Sequence, residues 1–220
     1  MNPVRAVLFD RDGVLTHFDL EAAGAFFRPL LPISVFALAA RWQTLGEQGG
    51  FPRNLEEEQQ LFARFWQQLG DEFDLSSTQR ATLERLDYTR FVVSYPEAAP
   101  VLQELRRQNL RLGVLSNFSL ASLEQSLIGA GLAQYFDRIC AAPVIGWAKP
   151  AAQAYQVALD ALQVSPDECL YFDDEEECVA GARRLGLRAY LVDRRAPGDN
   201  WAQGAVSSLH AAPQLASIGR

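Results

Sequence analysis

The sequence predicts an α/β protein, a doubly wound parallel sheet interrupted after its first strand by a small helical lobe. Three observations predict it. First, the apolar run Val7-Leu8-Phe9 ends abruptly in Asp10-Arg11-Asp12-Gly13, as a buried strand with a sharp exit does. Second, residues 20–86 show helical spacing and no convincing strand, whereas beyond Tyr95-Pro96 helical and strand-like stretches alternate. That alternation implies parallel strands with helices on both faces. Third, 220 residues of which 49% are apolar suffice for one sizeable core and a second, smaller lobe. The expected boundaries are 1–16 with 95–220 for the core and 17–94 for the lobe.

Taken in order, Gly13 lets the chain leave the first strand, and Val14-Leu15 tuck back. Two helices follow, 20–31 and 33–45, separated by Pro32, which ends one and can begin the next. Gly46, Gly49, Gly50 and Pro52 mark a loop. Asn54 with Glu57 forms a plausible capping box for 55–69, where Leu61, Phe62, Phe65, Trp66 and Leu69 share one helical face. A fourth helix spans 77–86. Phe26, Phe27, Phe36, Trp42, Phe65 and Trp66 could line a lid, but their helical spacing fits the lobe's own core better.

In the second half, helices are expected at 97–108, 119–130 and from Lys149-Pro150 to 162, then after Asp174 to 185. Strands are expected at 111–115, 138–142, 169–172 and 188–192. Ser165-Pro166-Asp167-Glu168 has the cap, proline and reciprocal glutamate of a short helical turn. The tail after Pro197 has no clear pattern.

Composition narrows the function. A net charge of −7 argues against nucleic acid or an anionic membrane as partner, and no stretch is long and apolar enough to span a bilayer. Cys140, Cys169 and Cys178 lack metal-ligand or CxxC spacing and read as reduced core thiols. With the first strand starting too early to leave room for a signal peptide, the expected setting is cytoplasmic. No G-x-S-x-G, Walker or dinucleotide motif is present, and His17 and His210 have no recognisable nucleophile partner.

The chemistry gathers at strand ends. Side chains two apart on a strand share a side, so Asp10 and Asp12 can face one small volume while Arg11 points away. Two carboxylates about 4 Å apart repel by roughly 4 kcal/mol at an effective dielectric near 20, so the pair implies a cation, a shared proton, or both. Ser116 and Asn117 follow another strand, and Asp173 and Asp174 a third. Lys149, the only lysine among twenty basic residues, falls at an expected helix start, where a cation is disfavoured unless an anion compensates. Ligands in such sheets bind beyond the carboxyl ends of the strands, so these loops converge on one cleft. A few hard carboxylate oxygens completed by water and phosphate suit Mg²⁺.

Together, Asp10-Arg11-Asp12-Gly13-Val14, Ser116, Lys149-Pro150 and Asp173-Asp174 resemble, in order, the four signatures of the haloacid dehalogenase-like (HAD) hydrolases. The match spans about two thirds of the chain, 7–16 and 95–193, and the lobe is similar to the family's small helical cap. The resemblance implies a Rossmann-like core and a Mg²⁺-dependent phosphatase acting on a small phosphorylated metabolite. It makes Asp10 the nucleophile that forms an aspartyl-phosphate and Asp12 the acid and base, with its backbone carbonyl on the metal. Ser116, Asn117 and Lys149 would bind the substrate, and Asp173 and Asp174 would hold Mg²⁺ with Asp10. Arg11 departs from the apolar residue usual there, and pairing with a neighbouring acid is expected of it. Asn117 also occurs in dehalogenase relatives, but those lack the second aspartate, because a halide leaves without a proton. Phosphonate cleavage needs a cap lysine, absent here. A phosphomutase, a dehalogenase and a non-catalytic binding module remain as alternatives.

Overall fold

The computed structural model describes residues 2–218. Strand β1 (Ala6–Phe9) is buried throughout and leads to β2 (Thr16–Phe18). Then come α1 (Leu20–Phe27), α2 (Val35–Gly49), α3 (Leu55–Glu72) and α4 (Ser77–Glu84). β3 (Val92–Ser94) pairs antiparallel with β2. The remainder is α5 (Ala98–Arg107), β4 (Arg111–Ser116), α6 (Leu123–Gly129), β5 (Arg138–Ala141), α7 (Ala142–Ile145), α8 (Ala152–Leu162), β6 (Cys169–Asp173), α9 (Glu176–Leu185), β7 (Arg188–Val192), β8 (Ala205–Val206) and α10 (Ala212–Ser217).

The main sheet has the order β5-β4-β1-β6-β7-β8, with every neighbouring pair parallel. The chain fills one side of β1 with β4 and β5, then crosses to the other with β6, β7 and β8. The carboxyl end of β1 is therefore the switch point where such sheets bind ligands. Alternation along β1 shows why helices cover both faces. Val7 and Phe9 enter a core with Val101, Leu105, Leu127 and Leu215, while Ala6 and Leu8 enter another with Tyr155, Leu159, Val179 and Ala182. The expected Rossmann-like α/β class is thus the one found.

The helical lobe has a third core, in which Phe27, Phe65, Trp66, Leu69 and Leu83 are buried. Most of the lobe's aromatic residues are core rather than lid, although Phe36 is 71% exposed. Local chemistry sets the helix starts. The Ser34 hydroxyl accepts from the Ala37 N–H at 3.2 Å, so α2 begins at Val35 rather than at Ile33. Asn54 caps the Glu57 N–H at 2.9 Å, and Glu57 reaches back to the N–H of Arg53 at 2.8 Å. The Ser165–Glu168 box forms as expected.

Several expectations need correction. The β2–β3 ribbon, α7 and the ordered tail (β8, α10) went unforeseen; each is too short to show a period and is held by backbone pairing or distant apolar contacts. Helix α6 starts at Leu123, not Ser119. Lys149 does not open a helix: it and Pro150 form a turn ahead of α8, which begins at Ala152. The three cysteines are free and buried, and burial pushes the Cys169 thiol up to about 12. Among the described residues, no helix is long and apolar enough to cross a membrane.

Candidate active site

The loop leaving β1 is a tight turn. Gly13 has φ +72° and donates to the Thr16 carbonyl at 2.8 Å, while the N–H groups of Leu15 and Thr16 both donate to the Arg11 carbonyl. A Cβ at Gly13 would lie 2.0 Å from Asp174 Oδ2, so only glycine lets that carboxylate approach. Arg194, after β7, fastens the loop from behind. It donates to the carbonyls of Gly13 at 2.7 Å and Val14 at 2.6 Å, pairs with Glu97 at 2.6 Å, and lies 3.3 Å from the Tyr95 ring centroid.

Asp10 sits at the mouth of β1, 7% exposed, its N–H donating to the Phe172 carbonyl of β6 at 2.8 Å. The buried Lys149 ammonium bridges two carboxylates, Asp10 Oδ1 at 2.7 Å and Asp173 Oδ2 at 2.7 Å. Asp173 ends β6, also accepts from the Tyr171 hydroxyl, and takes the Glu175 N–H on its other oxygen at 2.9 Å. Burial pushes the Asp10 carboxyl up to about 7, with the Lys149 cation pulling against it. For Lys149, burial opposes the charge, but Asp10 and Asp173 together hold it above the ordinary lysine value. Burial and then Asp173 raise the Asp174 carboxyl.

Asp10, Asp173 and Asp174 can each offer an oxygen such that all three lie within 4.8 Å of one another. Asp173 is saturated by protein donors, whereas Asp174 has no side-chain partner among the described residues. Asp174 is therefore the freer ligand for a cation.

Asp12 stands apart. Its half-exposed carboxylate is gripped by Arg11 through Nε at 3.2 Å and Nη2 at 2.5 Å, so Arg11 turns back onto Asp12 instead of pointing away. Ser116 ends β4, 2% exposed, its Oγ accepting from the Phe118 N–H at 3.2 Å. The Asn117 amide is engaged at both ends by the Lys149 backbone, accepting from its N–H at 2.8 Å and donating to its carbonyl at 2.9 Å. Asn117 therefore holds the Lys149 backbone in place. His17 and His210 are exposed, and the His17 ring centroid lies 5.0 Å from that of Tyr95.

A cleft of about 630 Å³ lies beside these loops, between lobe and core, lined by Arg53, Arg64 and Gln60 on one side and Asn117 and Trp147 on the other. Glu58 of α3 ties the two parts together: buried, it accepts from the Ser122 N–H at 2.8 Å and also from its hydroxyl.

The sequence model for the haloacid dehalogenase-like hydrolases matches residues 4–186. This chain belongs to that family. Among its HAD relatives, Phosphatase MT3486 of Mycobacterium tuberculosis is 42% identical over 197 residues, 87% of this chain and 88% of the relative. (S)-2-haloacid dehalogenase 1 of a Pseudomonas species is 25% identical over 98% of this chain and 97% of its own. A solved 2-haloacid dehalogenase from Pseudomonas syringae superposes with a TM-score of 0.69 at 22% identity, covering 96% of this chain and 97% of that one; at that identity the likeness concerns the fold. The HAD fold thus holds both chemistries.

Arg194, Tyr171 and Glu58 escaped the sequence reading. Tyr171 was within reach, because it lies two residues before Asp173 on one strand and so shares its side. Arg194 and Glu58 gave no signal, being one arginine among nineteen and one acid in a run of three.

Proposed function

We propose that this protein is a Mg²⁺-dependent phosphatase that hydrolyses a small phosphorylated metabolite through an aspartyl-phosphate on Asp10. The observation that carries the reading is the carboxylate trio Asp10, Asp173 and Asp174 around the single buried lysine. Three hard oxygen donors at strand ends, one of them unpartnered, fit Mg²⁺, which takes few protein ligands and leaves positions for water and phosphate. Asp10 and Asp174 would hold it, with Asp173 supporting Lys149 from behind. When bound, the ion neutralises charge on the transferred group and favours the ionised form of Asp10.

The chain's own groups supply the remaining steps. An Asp10 oxygen forms a bond to phosphorus as the ester bond breaks, and Asp12 gives the leaving oxygen its proton. Asp12 then takes a proton from the water that splits the acyl phosphate, releasing phosphate and restoring Asp10. Lys149 would meet the negative charge on the transferred group, and the Ser116 hydroxyl would donate to one of its oxygens. The cleft between lobe and core, which adjoins the carboxylates only through Asn117 and Ala148, is of a size for the remainder of a small substrate, and its arginines suit a polar one.

A halide leaves without a proton, so Asp12 favours phosphate over the dehalogenase alternative. The percent identity to a protein named a phosphatase supports the same choice. The test is release of inorganic phosphate from p-nitrophenyl phosphate and from a panel of metabolite phosphates, with Mg²⁺ and with EDTA. Turnover is expected only with the metal, and Asp10→Asn should abolish it. No phosphate release from any ester, or metal-independent chloride release from 2-chloropropionate, would refute the proposal.

A further inference from the structure

We infer that Arg11 is a positioning residue that fixes the Asp12 carboxylate for proton transfer to the leaving group and ties it to the loop presenting Ser116. The inference rests on the phosphatase reading above. Arg11 is 2% exposed, an expensive place for a charge unless its contacts require it. All three guanidinium nitrogens are directed: Nε and Nη2 hold the two oxygens of Asp12, and Nη1 donates to the buried Ser126 hydroxyl at 2.8 Å. The flat face lies 3.7 Å from the Phe118 ring centroid.

Ser126 is itself held, donating to the Leu123 carbonyl at 2.6 Å. The Arg11 fork is thus a fixed jig with its immobile side in the core and its open side gripping a carboxylate that is half in solvent. A bidentate fork sets the plane of a carboxylate as well as its place, which a lysine cannot do. Phe118, under the guanidinium, donates its N–H to Ser116 Oγ. One arginine therefore sets the proton donor and the phosphoryl-binding hydroxyl in a common frame, although they come from loops more than 100 residues apart in sequence.

A purely structural role for Arg11 would affect all substrates alike, whereas control of Asp12 makes the effect depend on how much the leaving group needs a proton. The experiment compares kcat/KM for phenyl phosphate and p-nitrophenyl phosphate, which are close in shape but differ in leaving-group basicity. In Arg11→Met, kcat/KM for phenyl phosphate should fall about 100-fold and for p-nitrophenyl phosphate about tenfold or less, within the range general acids contribute. Arg11→Lys, which keeps the charge without the fork, should fall between Arg11→Met and the parent. Ser126→Ala, which loosens only the back of the jig, should show the same ordering with smaller factors, and it decides the matter if Arg11→Met does not fold. Equal losses on both esters, or none, in folded variants overturn the inference while leaving the phosphatase reading intact. A parent protein that hydrolyses neither ester defeats both.

Discussion

Replacing Lys149 by Met removes the one cation from between two buried carboxylates. Asp173 keeps the Tyr171 hydroxyl and the Glu175 N–H, but Asp10 loses its cationic partner at 2.7 Å. Breaking a buried pair from one side costs about 3–5 kcal/mol, near 10 °C in Tm for a chain of this size. The loss should depend on pH. In the parent, burial already pushes Asp10 up to about 7 against the pull of Lys149, and without that pull it goes higher.

Below pH 7 folded Asp10 is protonated in both proteins, while the unfolded chain releases that proton above about pH 4. Both therefore lose stability as pH rises toward 7. Above 7 the parent levels off, whereas the variant still binds the proton and keeps losing about 1.4 kcal/mol per pH unit until its own midpoint. Urea unfolding in EDTA should show Lys149→Met weaker by about 3–5 kcal/mol at pH 9 and by about 2 kcal/mol less than that at pH 6. A difference that is the same at both pH values, or below about 1 kcal/mol at pH 9, would refute the assignment of Lys149 as the counter-ion of Asp10.

Two further outcomes follow from the same geometry. Because a metal at Asp10 and Asp174 competes with the proton on Asp10, Mg²⁺ should bind more weakly as pH falls through 7, approaching tenfold per pH unit; titration calorimetry at pH 6 and pH 8 checks this, and equal affinities would count against Asp10 as a ligand. Gly13→Ala forces a side chain into the left-handed region at about 1–2 kcal/mol and its Cβ into Asp174, so Tm should fall by about 5 °C and Mg²⁺ should restore less stability than in the parent. Thermal scans with and without the ion read both effects.

The sheet was legible because its strands are apolar runs ending in charge, and the lobe because its aromatic residues recur on helical faces. The convergence of Asp10, Ser116, Lys149, Asp173 and Asp174 was legible too, since each closes a strand or follows one and topology brings those ends together. That Arg11 would meet a neighbouring acid and Lys149 an anion was legible as well; what holds those side chains from behind was not. Phe118 and Ser126, distant in sequence, hold the other faces of Arg11, and no local pattern encodes those contacts. Asn117 was legible as a polar residue at a strand end, but its double bond to the Lys149 backbone depends on how two loops meet. The β2–β3 ribbon and β8, three residues per strand or fewer, rest on pairing that only the folded chain supplies.

That ribbon bears on how the molecule can be altered. Thr16 faces Ser94 and Phe18 faces Val92 across an antiparallel pair, so the chain departs for the lobe and returns from it through points about 5 Å apart. The strand pairing of the main sheet involves no residue between those points. A foreign insert with closely spaced ends spliced there would also have to replace the lobe's ties to the core: Glu58 with Ser122, the Trp42 N–H with the Ser119 hydroxyl, and the Tyr88 ring with Phe118. The lobe is thus joined to the core by a two-strand ribbon and a few side-chain ties, and changes at Arg53, Gln60 or Arg64 would alter the wall of the cleft without touching the carboxylates.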